Sequence, residues 1–287
     1  MFNKIQINKN SPIFGIIQGR LSQAPANQLQ WFPQNCWRDE FHNAKKLGID
    51  FIELLDENSY NKDNPIWSDS GRSQLKSVSK KTGRQLYSIC TDFIMANSLL
   101  DDKGNTITKG HVKKLIDHAG ELGCKVVVLP LFEESILSVS TTHFFIPIIK
   151  DFAKYAAQLN INICIESLLD GPNLKIFLES INESNVGCVF DTGNRVVDNP
   201  QLDEEIKLLG DWITHVHIKD KNYVGENVLL GTGLVNFAKV FEALVEIRYE
   251  GPLVFETTRG TDPLVTASYH IEICNFFLHE ARHGSRV

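Results

Sequence analysis

Short apolar runs alternate with longer stretches of helical spacing along the whole chain. The β-rich runs fall at 13–17, 50–54, 85–90, 125–129, 161–166, 186–191, 212–218 and 252–256. Segments with apolar residues at helical spacing lie between them, among them 37–47, 108–122, 142–159 and 237–247. Three of the helical segments end in a glycine, Gly48, Gly83 and Gly123, suited to the left-handed cap that closes a helix. The next strand starts one or two residues later. Strands alternating with helices imply parallel pairing through βαβ crossovers. Eight repeats over this length predict a single closed (β/α)8 TIM barrel, one domain spanning 1–287, rather than an open doubly wound sheet. No linker, low-complexity tract or charge run divides the chain.

The longest irregular stretches follow strands, at 18–34, 55–68, 91–107 and 219–235. In a barrel these all lie on the C-terminal face, where active sites are built. Four strands close on polar residues there: Glu166 after NICI, Asp191 after VGCVF, His217 in ITHVHIKD and Glu256 after LVF. Barrel side chains alternate inward and outward. Ile161, Ile163 and Ile165 suit the helix-facing side, so Cys164 and Glu166 point inward. The same count turns Asp191 inward above Val189 and Glu256 inward above Val254. His215, His217 and Lys219 share a face, with His217 at the mouth and His215 a layer deeper as a core histidine. Three carboxylates and one imidazole at one end of a barrel form a set for a single divalent ion. The hard-leaning donors favour Mn²⁺, with Zn²⁺, Co²⁺ or Mg²⁺ allowed.

The 287 residues are 43% hydrophobic, ample for one large core. A net charge of −6 argues against non-specific binding to nucleic acid, which relies on Lys and Arg neutralising phosphates. Six dispersed cysteines without a Cys-x-x-Cys pattern fit buried, reduced thiols in a cytoplasmic enzyme. The first residues lack the apolar core of a signal peptide, and no apolar run is long enough to span a membrane. The expected partner is a small molecule, with neither nucleic acid nor membrane. A homodimer is compatible with the barrel, although no sequence segment marks its interface.

The stretches ICIES, FDTGN, HVHIKD and VFET, in this order, resemble the xylose-isomerase-like TIM barrels of sugar and sugar-phosphate isomerases and epimerases. The likeness is nearest to the L-ribulose-5-phosphate 3-epimerase / hexulose-6-phosphate isomerase branch. FIELLDE followed by WS at 67–68, and HIKD followed by a loop ending GTGLVNF, extend it over essentially the whole chain. The resemblance implies metal ligands at Glu166, Asp191, His217 and Glu256, the same four that alternation selects. It also implies the chemistry. A metal-bound ketose carbonyl and its neighbouring hydroxyl become an enediolate, and Glu166 and Glu256 are the acid/base pair on opposite faces. Return of the proton to the same carbon is epimerisation; return to the adjacent carbon is isomerisation. Asn194 stands where epimerases for free ketoses tend to carry a histidine, which points toward the sugar-phosphate branch.

Other residues carry two readings each. Arg20 meets substrate hydroxyls or phosphate, or pairs with a loop acid. Glu53 binds the sugar or orients a neighbour, or forms a buried ion pair. Lys219, inward and above His217, is placed to touch substrate, with Asp220 orienting it or capping its loop. The glycines of 220–235 cradle a phosphate or simply turn the chain. Arg195 and Arg259 are placed to meet an anion. Trp31, Phe32 and Trp67 cover the sugar or pack the loops. His111, His118, His143, His270, His279 and His283 read as surface. A metal-dependent dehydratase of a keto-polyol, of the inosose or dehydroshikimate type, is the alternative function, because it begins with the same proton abstraction. A multinuclear zinc endonuclease on this barrel would need more strand-end histidines than Leu54, Cys90 and Leu129 supply.

Overall fold

Eight strands form one closed parallel ladder in sequence order: β1 (Phe14–Ile17), β2 (Phe51–Asp56), β3 (Ser88–Thr91), β4 (Val126–Pro130), β5 (Asn162–Glu166), β6 (Val186–Asp191), β7 (Ile213–Ile218) and β8 (Leu253–Phe255). β8 pairs back onto β1, Leu253 opposite Phe14, so no edge is left. The computed structural model describes residues 12–25, 28–100 and 105–284. Parts of the expected loops at 18–34 and 91–107, and most of the N-terminal segment, lie outside the described residues.

The helices are α1 (Trp37–Leu47), α2 (Asp69–Thr82), α3 (Phe93–Ala96), α4 (Asn105–Leu122), α5 (Thr142–Ala157), α6 (Gly171–Ile181), α7 (Thr192–Val196), α8 (Leu202–Leu209), α9 (Phe237–Glu246) and α10 (Pro263–His283). Each βα repeat thus has at least one helix; β3 and β6 are followed by two. Gly48, Gly83 and Gly123 adopt φ of 75°, 74° and 79°, the left-handed turn that suits a residue without Cβ. No helix among the described residues is long and apolar enough to cross a membrane.

Alternation sorts the core into two compartments. Ile163, Ile165, Val127, Leu129, Val216 and Ile218 face the helices and join one continuous cluster. Cys90, Val126, Val128, Cys164 and Val189 fill the barrel interior, with Ile13, Ile17, Phe51 and Val254 as a second interior group. The inward and outward assignments made from sequence therefore hold on β5, β6 and β8.

Strand ends differ from the sequence reading by up to three residues. β2 runs on to Asp56 because Leu54–Asp56 pairs with Ile89–Thr91. β3 starts at Ser88, since Gln85 makes only a single bridge to Phe51. β8 starts after Pro252, which has no N–H for the ladder. Trp212 belongs to a short 3₁₀ turn, Gly210–Trp212.

Candidate metal centre and active site

Glu166 and Asp191 end β5 and β6, His217 is the last residue but one of β7 and Glu256 follows β8; their candidate ligand atoms lie within 4.8 Å of one another. All four side chains are buried. His217 is the hub. Its Nδ1 is 3.2 Å from Glu256 Oε2, 3.5 Å from Glu166 Oε2 and 3.9 Å from Asp191 Oδ2. None of these approaches is aligned as a hydrogen bond, and Nδ1 has no hydrogen-bond partner. The other nitrogen, Nε2, is 2.9 Å from Glu53 Oε1. A neutral imidazole that donates Nε2–H to Glu53 turns its Nδ1 lone pair toward three carboxylates. Lone pairs facing lone pairs in a buried cluster call for a cation.

The charges point the same way. Lys219 Nζ is 2.9 Å from both Asp191 Oδ2 and Glu256 Oε2. One ammonium against three carboxylates leaves two negative charges, the complement of a divalent ion. Burial pushes Glu166 up to about 8, and the Asp191 and Glu256 carboxylates add to it against His217 and Lys219. Burial disfavours charge on His217, yet Glu53, Glu166 and Glu256 outweigh it and hold the imidazole well above its usual range. Burial also opposes ionisation of Glu256, but Lys219, His217 and Arg20 override it and hold that carboxyl well below the usual range. Protons retained by Glu166 and His217 are those that a bound divalent ion displaces. The residues therefore fit such an ion.

The sequence DTGN after β6 resolves into separate tasks. Asp191 Oδ1 accepts the N–H of Asn194 at 2.7 Å and caps α7, which fixes Oδ2 toward the centre. The Thr192 hydroxyl donates to Lys219 O at 2.6 Å and accepts Lys219 N–H at 2.9 Å, bracketing the end of β7. A Cβ on Gly193 would lie 2.7 Å from Lys219 Cγ, so only glycine lets that lysine pass. Asn194 donates to Glu166 Oε1 at 3.1 Å and accepts from Lys219 Nζ at 3.3 Å. Its position is thus explained inside the site, without any phosphate.

A cavity of about 560 Å³ opens above these residues, within the range of small-ligand sites. Asn194 and Lys219 line it; Arg20, Glu53 and Arg259 do not. Glu53 is fully buried beneath the site and bonds to His217; its Oε2 accepts from Ser88 Oγ at 2.6 Å and lies 2.8 Å from His215 Nε2, an approach not aligned as a hydrogen bond. Burial opposes its charge, yet His215 and His217 keep the carboxyl far below its usual range. It lies outside the cavity lining, against His217 rather than facing a ligand space. Arg20 donates to Leu29 O and, at 2.6 Å, to Gln30 Oε1, and lies 3.7 Å from Glu256. Arg259 donates to Gly19 O, Gln28 O and Leu29 O, tying the loop after β8 to the loop after β1.

Two further anion-site expectations change. Arg195 is buried, pairs with Glu205 and donates to Ser167 O and Leu169 O, so it clamps the segment just past Glu166. The glycine loop after β7 wraps an internal carboxylate: Asp220 accepts the N–H of Gly231 at 3.0 Å, of Gly233 at 2.9 Å and of Val235 at 3.0 Å. Asp220 caps the loop, occupying the donors a phosphate would need. Phe32 and Trp67 are buried packing residues, Trp67 lying against Tyr60, His111 and His118. His118 and His270 are buried, not surface, because both lie on the inner faces of their helices. His111 meets Asp56 at 2.8 Å.

Two residues were not singled out from sequence. Glu40 on α1 accepts the N–H of Gly19 at 2.6 Å and of Leu21 at 3.0 Å, pinning the chain on both sides of Arg20. Its signal was a carboxylate on the apolar face set by Trp37, Phe41 and Ala44. Asp92 lines the cavity just past β3; continuing the inward count from Ser88 and Cys90 reaches it.

The chain is 26% identical over 233 residues to an L-ribulose-5-phosphate 3-epimerase UlaE of Escherichia coli, covering 77% of this chain and 82% of that protein. A UlaE of Salmonella heidelberg matches at the same identity and coverage. A solved L-ribulose 3-epimerase shares the fold with a TM-score of 0.75 at 18% identity, covering 95% of this chain and 96% of that one. A D-allulose 3-epimerase from Methylomonas sp. does so with a TM-score of 0.73 at 18% identity, over 93% and 98%. The model of the xylose isomerase-like TIM barrel matches residues 41–273, and the chain belongs to that family.

Proposed function

We propose that the protein is a divalent-metal-dependent epimerase or isomerase of a ketose or ketose phosphate, with Glu166 and Glu256 as its acid/base pair. The observation that carries this reading is the convergence of three strand-end carboxylates on a His217 Nδ1 that has no hydrogen-bond partner. Relatives named for L-ribulose-5-phosphate and fold neighbours named for free ketoses support the substrate class. Glu166, Asp191, His217 and Glu256 hold the ion, with Mn²⁺ favoured by the oxygen-rich donor set. When bound, the ion supplies Lewis-acid stabilisation of charge developing on the substrate's oxygens.

The chain's own residues do the rest. Glu256, held ionised beside Lys219, takes the proton from the carbon next to the ketose carbonyl. Glu166, positioned by Asn194, returns a proton from the opposite face and inverts the centre. Lys219 keeps Asp191 and Glu256 in place, and its ammonium is available to substrate oxygen at the cavity wall. Delivery to the neighbouring carbon would make the same site an isomerase.

The test is elemental analysis of the purified protein together with deuterium exchange from D₂O into a panel of ketoses and ketose phosphates. About one equivalent of divalent metal, absent in His217→Ala, is expected. Exchange at the carbon beside the carbonyl should fall by about 10²–10⁴-fold in Glu166→Gln and in Glu256→Gln. Absence of metal from the metal-replete protein would refute the reading. A product with enone absorbance would instead identify the keto-polyol dehydratase.

A further inference from the structure

The cavity wall beyond the strand-end cluster is built for neutral hydroxyls. Asp92 is 7% exposed and lines the cavity. It stands at the N-cap position of α3, where aspartate normally caps, yet its side chain makes no capping bond. Its only side-chain partner among the described residues is the Cys90 thiol, a weak donor, at 3.6 Å. A buried carboxyl turned away from a helix end into a cavity is left with capacity for a ligand.

Asn227 faces the same cavity from the loop after β7, half a barrel away from β3. It sits opposite Lys221 in a short antiparallel bridge. Both its amide nitrogen and its amide oxygen are buried without a hydrogen-bond partner. A free donor beside a free acceptor matches a hydroxyl, which needs one of each.

Among the described residues no anion site accompanies them. The guanidinium groups of Arg20, Arg195 and Arg259 are engaged by carbonyls, Gln30 and Glu205. The N–H groups of Gly231 and Gly233 are taken by Asp220, and that of Gly225 by the Asn222 carbonyl. Away from the metal cluster the lining, among the described residues, carries Asp92, Glu133 and Glu226 against a single lysine, Lys221. A phosphate dianion would enter a wall that is already acidic.

We propose that Asp92 and Asn227 bind hydroxyl groups of an uncharged ketose from opposite walls, and that the site discriminates against phosphate esters of that ketose. The inference rests on the function proposed above and narrows its substrate class, departing from the phosphorylated substrate in the relatives' name.

The experiment compares kcat/KM of the metal-loaded enzyme on free ketopentoses and ketohexoses with their 5- and 6-phosphates. The free sugar is expected to exceed its ester by at least about 10-fold. Asp92→Ala and Asn227→Ala should each raise KM for the free ketose by about 10-fold, the scale of one lost hydrogen bond to a charged or buried group. kcat and the unfolding temperature should change little, and Asp92→Asn should recover part of the KM. A merely structural role would move kcat and unfolding together with KM. A ketose phosphate turned over within 10-fold of its parent, or better, overturns the inference, most plainly if Lys221→Met then removes that activity. Unchanged KM in both alanine variants overturns it as well. Phosphate preference with exchange still dependent on Glu166 and Glu256 leaves the epimerase reading standing, whereas no exchange on any sugar removes both.

Discussion

Glu53 never reaches the cavity, yet it decides which nitrogen of His217 faces the three carboxylates. Partners of this kind commonly set metal affinity through the ligand they orient. Glu53→Gln keeps an acceptor for His217 but removes the charge and one of the oxygens shared with His215 and Ser88. It should weaken metal binding by about 10–100-fold, read by chelator competition. The convergence of Glu166, Asp191, His217 and Glu256 was legible because each lies at or next to the end of an apolar run of known alternation. The roles of Glu53, Arg20 and Arg259 were not, for a physical reason. Which acceptor a long side chain finds depends on loops that meet only in the fold: Arg259 donates to Gly19, 240 positions away. Alternation fixes the direction of a strand residue and says nothing about a guanidinium's partners. DTGN lay between these cases. Its aspartate could be read from strand position, whereas its glycine makes sense only beside the Lys219 side chain.

At the scale of elements, helices and strands followed from spacing, glycine caps and apolar runs, and the misplaced ends have local causes such as Pro252. Burial along helices was read less well. His270 lies on the inner face of α10 with both ring nitrogens unpartnered. Burial lowers its pKa from 6.5 to about 4. A folded-state pKa below the unfolded value means the unfolded chain binds more protons between those limits. Stability is therefore full above pH 6.5 and falls as pH drops through 4, by about 3 kcal/mol at about 1.4 kcal/mol per unit. His270→Leu should stabilise the protein by about 1–3 kcal/mol at pH 7, since it removes unsatisfied buried polar atoms. The gap over the parent should widen as pH falls to 5, in urea unfolding at the two pH values. Arg195 and Glu205 give the opposite case. Their buried pair joins α7 to α8 and holds the carbonyls that follow β5. Glu205→Ala strands a buried guanidinium and should cost about 3–5 kcal/mol in the same assay.

For the whole molecule, the alternation of eight strands with helices was enough to identify a barrel, and long loops after strands identified its working face. The substrate's charge was not legible, because it depends on which of several cations and N–H groups remain free once the loops have packed. The barrel also couples its chemistry to its stability. The four proposed ligands come from β5 to β8, consecutive staves of a ring closed by β8 on β1. Without a cation this half of the mouth must keep protons on Glu166 and His217 to hold its carboxylates in buried surroundings. On the proposed function, a divalent ion would bind the folded ring and not the separated strands, and would stabilise it by about 2.7 kcal/mol at 100 times its Kd. For a chain of 287 residues, at about 2.1 cal/mol/K of unfolding entropy per residue, that corresponds to roughly 4–5 °C in Tm. Stripping the metal with a chelator should lower Tm by this amount in the parent. His217→Ala should start near the lower value and not respond to the chelator. If parent and variant responded alike, the ion's contribution would lie elsewhere on the barrel, and the mouth would have to hold its three carboxylates by protonation alone.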